Sequence, residues 1–127
     1  MPIKYEFHRN VCYISTTGQF SKSDLDEYFQ KVYKEPKFSN CSAILLHDHK
    51  SLYIPSTEDI RAVASGFRKS IGGFEGKIAV VAETTVKYGM GRMLEVISND
   101  PALRVFKTLE EAKEWVEVAF VDNLNRS

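Results

Sequence analysis

Ile3, Tyr5 and Phe7 alternate with Lys4, Glu6 and His8, the two-residue period of a strand with one buried face. Arg9-Asn10 separates this run from a second, β-branched and aromatic run, Val11 to Thr17, that ends at Gly18. That spacing predicts a hairpin in which Asn10 takes the positive φ of the turn. The period then changes. Leu25, Tyr28, Phe29, Val32 and Tyr33 recur at helical spacing, with Ser21 as N-cap, Asp24 at the third helical position and Pro36 as the stop. Ala43 to Leu46 is a short buried strand ending at His47-Asp48-His49. Ser56 is the next N-cap, followed by the stripe Ile60, Val63, Ala64 and Phe67, with Gly72-Gly73 closing the helix. Ile78 to Ala82 is continuously apolar, as in a central parallel strand. Thr84 or Thr85 opens a third helix with Val86, Met90, Met93, Leu94 and Ile97 on its core face, and Asn99-Asp100-Pro101 breaks it. Leu103, Val105 and Phe106 form a last strand. Thr108 and Glu111 form a capping box ahead of Leu109, Ala112, Trp115, Val116 and Ala119.

The order ββαβαβαβα predicts an α/β domain: a mixed sheet of about five strands, the first antiparallel to the rest, with four helices mostly on one face. Residues 1–127 read as one domain without linkers or repeats. The opposite face of such a sheet has to be covered, bind something, or stay partly open.

Composition narrows the function classes. Hydrophobic residues are 43% and charged residues 27% of the chain, the balance of a globular protein rather than a disordered one. Lys plus Arg and Asp plus Glu are 17 each, so no basic excess points to nucleic acid or an anionic membrane surface. No apolar run reaches the roughly 18–20 residues of a membrane span. Met1 to Glu6 reads as a strand and not as an export signal. With Cys12 and Cys41 far apart and without CxxC spacing, the expectation is reduced, buried thiols in a cytoplasmic protein.

Three stretches carry a family resemblance. They are Ala43-Ile44-Leu45-Leu46-His47-Asp48 running through Leu52-Tyr53-Ile54 to Pro55-Ser56-Thr57; Lys77-Ile78-Ala79-Val80-Val81 followed by Tyr88-Gly89-Met90-Gly91-Arg92-Met93; and Val105-Phe106 with Glu110-Glu111-Ala112 and Trp115. Together they resemble the STAS domains, anti-sigma-factor antagonists, and more closely their SpoIIAA-like relatives, whose fold is shared with CRAL-TRIO lipid-binding domains. The resemblance implies a small non-catalytic regulatory module acting by protein–protein contact, with a phosphorylatable residue at Ser56 or Thr57. Its lipid-binding branch implies, as an alternative, a module for a small apolar ligand. Kinase-switched STAS domains carry an acidic residue before the serine and glycine after it. Here Pro55 precedes Ser56 and Glu58-Asp59 follows Thr57, so a helix cap is the reading the residues themselves support.

The residue types that carry chemistry do not assemble into a catalytic set. His47 and His49 alternate to one side of a strand and Asp48 to the other. Two imidazoles are transition-metal ligands, yet the only other histidine is His8, and no structural metal or other cofactor is expected. Ser56, His47 and Asp48 make a triad on paper only, since no GxSxG elbow is present and adjacent His and Asp point apart. No GxGxxG or GxxxxGK[ST] loop occurs. Gly89 and Gly91 inside the third helix each cost about 1 kcal/mol relative to alanine, which suggests close approach on that side. Tyr88 and Arg92, four apart, are expected to pair on the surface, with Arg92 taking an anion. Tyr5, Tyr13, Tyr28, Phe29, Tyr33 and Tyr53 are expected mostly in the core or half-buried on the sheet. The sequence thus predicts no enzyme. It predicts a protein partner, a second copy of the chain among the candidates, or a small apolar or anionic ligand near His47, His49, Tyr53 and Arg92.

Overall fold

Why the sheet has its shape follows from its connections. The structure, a computed structural model, describes residues 3–126 and the side chains among them other than those of residues 50, 70 and 118–126. Strands β1 (Ile3–His8), β2 (Val11–Gly18), β3 (Ala43–Ser51), β4 (Lys77–Ala82) and β5 (Leu103–Phe106) lie in sequential order in one sheet. The β1–β2 pair is antiparallel and the other three pairs are parallel. Helices α1 (Lys22–Lys34), α2 (Thr57–Ser70) and α3 (Thr85–Ser98) each link neighbouring parallel strands. Right-handed crossovers in a sequential sheet place all three on one face.

The fourth helix, α4 (Leu109–Arg126), follows the last strand and is bound by no crossover. It folds back across the opposite face onto β3, β4 and β5, where Ala112 and Val116 pack on Ala43, Leu45, Ala79 and Val81. The Ala119 side chain lies outside the described residues. On this face Val11 of β2 is buried and half-buried Tyr13 packs beside it, whereas Lys4 and Glu6 of β1 are exposed and Ser15 is half-buried. The larger core is on the other face, where Ile3, Cys12, Ile14 and Ile44 of the sheet meet Phe29 and Val32 of α1 and Phe38. Phe38 belongs to a 3₁₀ turn, Pro36–Asn40, that begins where Pro36 ends α1.

Four local expectations are corrected. In the hairpin, Arg9 rather than Asn10 has the positive φ, 57°; the Asn10 carbonyl accepts the Ser42 N–H at 2.7 Å, tying the turn to the start of β3. Strand β3 does not end at His47-Asp48-His49 but runs on to Ser51, because β4 pairs with it as far as Asp48 and β2 sets Gly18 opposite Ser51. Cys41 is half-buried, whereas Cys12 is fully buried.

The fourth correction concerns α3. Met90 and Leu94 of its expected core stripe face inward, half-buried, but the other three positions are turned outward. Val86, Met93 and Ile97 are exposed, and the buried side is built from Met90, Gly91 and Leu94. Gly91 explains the rotation. A Cβ on it would overlap a γ-methyl of Val105, so the bare backbone seats directly on β5 and swings the neighbouring apolar side chains to solvent.

Candidate functional site

The start of α2 sits beyond the C-terminal end of β3, where parallel sheets place their ligand sites. Ser56 caps the helix. Its hydroxyl accepts the Asp59 N–H at 3.1 Å, and Asp59 Oδ2 accepts the Ser56 N–H at 3.2 Å. This reciprocal box satisfies two otherwise orphaned amides. The Tyr53 hydroxyl also donates to Asp59 Oδ2, at 3.1 Å. The Ser56 N–H, first, and the Tyr53 hydroxyl hold the Asp59 carboxyl below its ordinary pKa. Burial and the Asp59 carboxylate push the Tyr53 phenol up. The Tyr53 ring is 5.0 Å from that of Phe20. Thr57, the first helical residue, is exposed.

Between the sheet and helices α2 and α3 lies a pocket of about 140 Å³. Its walls are mostly apolar, with Phe20, Leu46, Ile60, Val80, Met90 and Leu94 among them, and Asp48 and Lys87 line it as well. Lys87 reaches from the first turn of α3 to Asp48 Oδ2 at 3.0 Å and donates to the Ser51 hydroxyl at 2.8 Å and to the Ser51 carbonyl. Thr16 donates to Asp48 Oδ1 at 3.1 Å. The ion pair is therefore half-buried and satisfied on several sides, as a charge withdrawn from water must be.

The outer side of α3 carries a different chemistry. Val86, Met93, Val96 and Ile97 share one helical face and are all exposed, Val96 at 73%. Gly89 lies on this face, with open space where a Cβ would be. Leu52 and Ile54, in the loop between β3 and α2, are exposed at 70% and 59%. Lys87 ties α3 to Ser51, one residue before that loop. Tyr88 and Arg92 do not pair with one another. The Lys107 ammonium lies 4.9 Å from the Tyr88 ring centre, and Arg92 holds Glu95 through Nη1 at 2.9 Å.

His47 and His49 stand on the other side of the sheet, away from Tyr53, Ser56 and α3. His47 Nε2 is 2.8 Å and His49 Nδ1 3.2 Å from the same Glu83 oxygen. These two contacts hold the Glu83 carboxyl below its ordinary pKa, that with His47 contributing most. The candidate residues thus divide into two groups. Tyr53, Ser56, Thr57, Tyr88, Gly89, Gly91 and Arg92 belong to the α2–α3 side, and the two histidines to the α4 side. The paper triad is dispersed, since Ser56 caps α2, Asp48 binds Lys87 and His47 binds Glu83.

Three residues escape the sequence reading. Glu83 is legible only once the β3–β4 register is known, because Asp48 lies opposite Ala82 and the next step sets Glu83 beside His49. Lys87 looks like an ordinary first-turn residue until β3 is seen to extend to Ser51. Val96 falls outside the helical stripe and is found only from the rotation of α3.

Among solved structures, the fold matches that of the anti-sigma factor antagonist SpoIIAA in its unphosphorylated form, with a TM-score of 0.61 and 14% identity over 91% of this chain and 96% of that one. It also matches an anti-sigma factor antagonist from Mycobacterium paratuberculosis, with a TM-score of 0.58 and 15% identity over 91% and 92% of the two chains. No protein-family model and no curated protein matches the sequence. The chain has the SpoIIAA fold, a five-stranded mixed sheet with four helices.

Proposed function

We propose that this chain is a non-catalytic regulatory module that works by binding a protein. The exposed apolar face of α3, with the Leu52 and Ile54 loop beside it, carries this reading. Six large apolar side chains at 41–73% exposure, or 39% for Met93, are concentrated on one helix and one adjoining loop, and a concentration of that kind marks an interaction surface. Gly89 adds a place where a partner backbone approaches closely. The two fold neighbours are both antagonists of anti-sigma factors, which supports a protein-directed, cytoplasmic role. Among the described residues no helix is long and apolar enough to cross a membrane.

Ser56 and Thr57 act in this reading as a helix cap. Glu58 and Asp59 already place two negative charges at the positive end of α2, and a phosphate of about −1.5 to −2 charge there would meet repulsion. Phosphorylation of Thr57 is the competing role, and intact-mass analysis of protein isolated from its own cells separates the two.

The pocket supports a second reading, a small ligand with an apolar body. Its volume of about 140 Å³ is well below the roughly 300–1,000 Å³ of pockets that enclose drug-sized ligands, so a lipid tail does not fit it as it stands and protein contact is the stronger reading. Immobilised wild-type chain and a Met93→Lys/Val96→Lys variant decide between them. Both substitutions fall on exposed positions, so melting temperature should hardly change. The variant should lose the captured partner, whether a second copy of the chain or another protein. Equal capture by the two would refute the α3 surface.

A further inference from the structure

We propose that His47, His49 and Glu83 form a binding site for a divalent transition-metal ion of the zinc, nickel or copper class. Strand alternation sends both imidazoles to the α4 face of β3, and the parallel register with β4 brings the carboxylate of Glu83 to them from the next chain segment. One ligand atom from each residue lies within 4.8 Å of the other two, and His47 Nε2 and His49 Nδ1 both contact the same Glu83 oxygen. Ligands held at about 2.1 Å around a tetrahedral ion stand about 3.4 Å apart. The two observed contacts with Glu83, 2.8 and 3.2 Å, are about 0.6 and 0.2 Å short of that. Glu83 follows the end of β4 and its side chain is 46% exposed, so it has room to withdraw by this amount.

The donor set decides the class of ion. Two neutral imidazoles with one carboxylate suit borderline divalent metals, whereas calcium and magnesium prefer an all-oxygen shell. Without a metal, two imidazole nitrogens crowd one carboxylate oxygen, and each nitrogen needs a proton to satisfy it. A metal ion replaces those protons and satisfies all three groups at once. Among the described residues, the other imidazole and the two thiols lie elsewhere, with Cys41 packed against the same core as Cys12. Cys12 belongs to the core under α1, and the His8 ring lies beside Tyr13, with 6.4 Å between ring centres.

The coordination positions left over face outward. His49 is 46% exposed, and His47 lines a groove of about 380 Å³ between the start of α4, at Leu109 and Lys113, and the sheet residues Glu6 and Tyr13. Three protein ligands with an open position describe an exchangeable site rather than a structural staple. That distinguishes it from the tightly retained structural metal that the sequence argues against.

Calorimetric titration of the tag-free chain with nickel chloride alone tests the site. One equivalent should bind, with affinity reduced at least about ten-fold by His49→Ala and by Glu83→Gln and unchanged by His8→Ala. Cobalt(II) should perturb the ring-proton resonances of His47 and His49 and leave those of His8 in place. His49 and Glu83 are exposed, so these variants stay folded even where half-buried His47 tolerates no change. Binding by the wild type no tighter than by a His49→Ala/Glu83→Gln double variant overturns the proposal, as does loss of binding on His8→Ala.

Discussion

The two glycines of α3 look alike in the sequence and should behave oppositely. Each costs the helix about 1 kcal/mol relative to alanine. At Gly89 an added Cβ meets nothing, so Gly89→Ala should recover most of that amount. At Gly91 the same methyl group overlaps Val105. Valine is branched at Cβ and stiff at χ1, so it cannot swing aside and α3 must lift from β5. Overpacking of this kind costs about 1–3 kcal/mol. Set against the propensity gain, Gly91→Ala should destabilise by about 1 kcal/mol. The propensity gain is common to both substitutions, so the difference between the two variants isolates the overpacking, about 1–3 kcal/mol. For a chain of this length each kilocalorie moves the melting temperature by about 3–6 °C. Thermal unfolding followed by circular dichroism should therefore rise for Gly89→Ala and fall for Gly91→Ala. A double-mutant cycle with Val105→Ala completes the test. Once Val105 is truncated, Gly91→Ala should lose its penalty, with a coupling of about 1–2 kcal/mol. A rise in melting temperature for Gly91→Ala equal to that for Gly89→Ala would refute the seating of α3 on β5, and with it the reason for the exposed apolar face.

Further consequences follow from the caps and the buried groups. Ser56→Ala should cost about 1 kcal/mol by urea unfolding, the usual worth of an N-cap, and Ser56→Asp should restore most of it. The Arg68 guanidinium donates to Asp100 and to the Phe74 and Gly76 carbonyls, and it holds the Asp100 carboxyl below its ordinary value of 3.8. A depressed carboxyl pKa adds stability above the unfolded-state value, and that contribution is lost as pH falls through the folded value. Stability measured between pH 5 and about pH 2 should thus fall less steeply for Asp100→Asn than for the wild type, the variant being the weaker protein at pH 7. Burial, with a smaller effect from Cys41, pushes the Cys12 thiol up to about 12. A disulfide-exchange reagent at pH 8 should accordingly label Cys41 first and reach Cys12 only on unfolding.

Local chemistry accounts for what the sequence determines by itself. The alternation in β1, the Ser21–Asp24 and Ser56–Asp59 boxes, Pro36 at the end of α1 and Asn99 at the end of α3 act over a few residues. Such signals are complete within the segment that carries them. Three crossovers of one hand then leave little freedom for α1, α2 and α3. The reach of β3 to Ser51 depended on its neighbours, because a strand continues only while adjacent strands offer partners. The path of α4 depended on the uncovered face it found after β5. The orientation of α3 depended on one contact, Gly91 against Val105, between residues fourteen apart whose separation in space no periodicity encodes. The candidate sites depended most on register. His47 and His49 announce a pair by alternation alone, but Glu83 joins them only because β3 and β4 align Asp48 with Ala82. A shift of one residue would have turned Glu83 to the other side of the sheet.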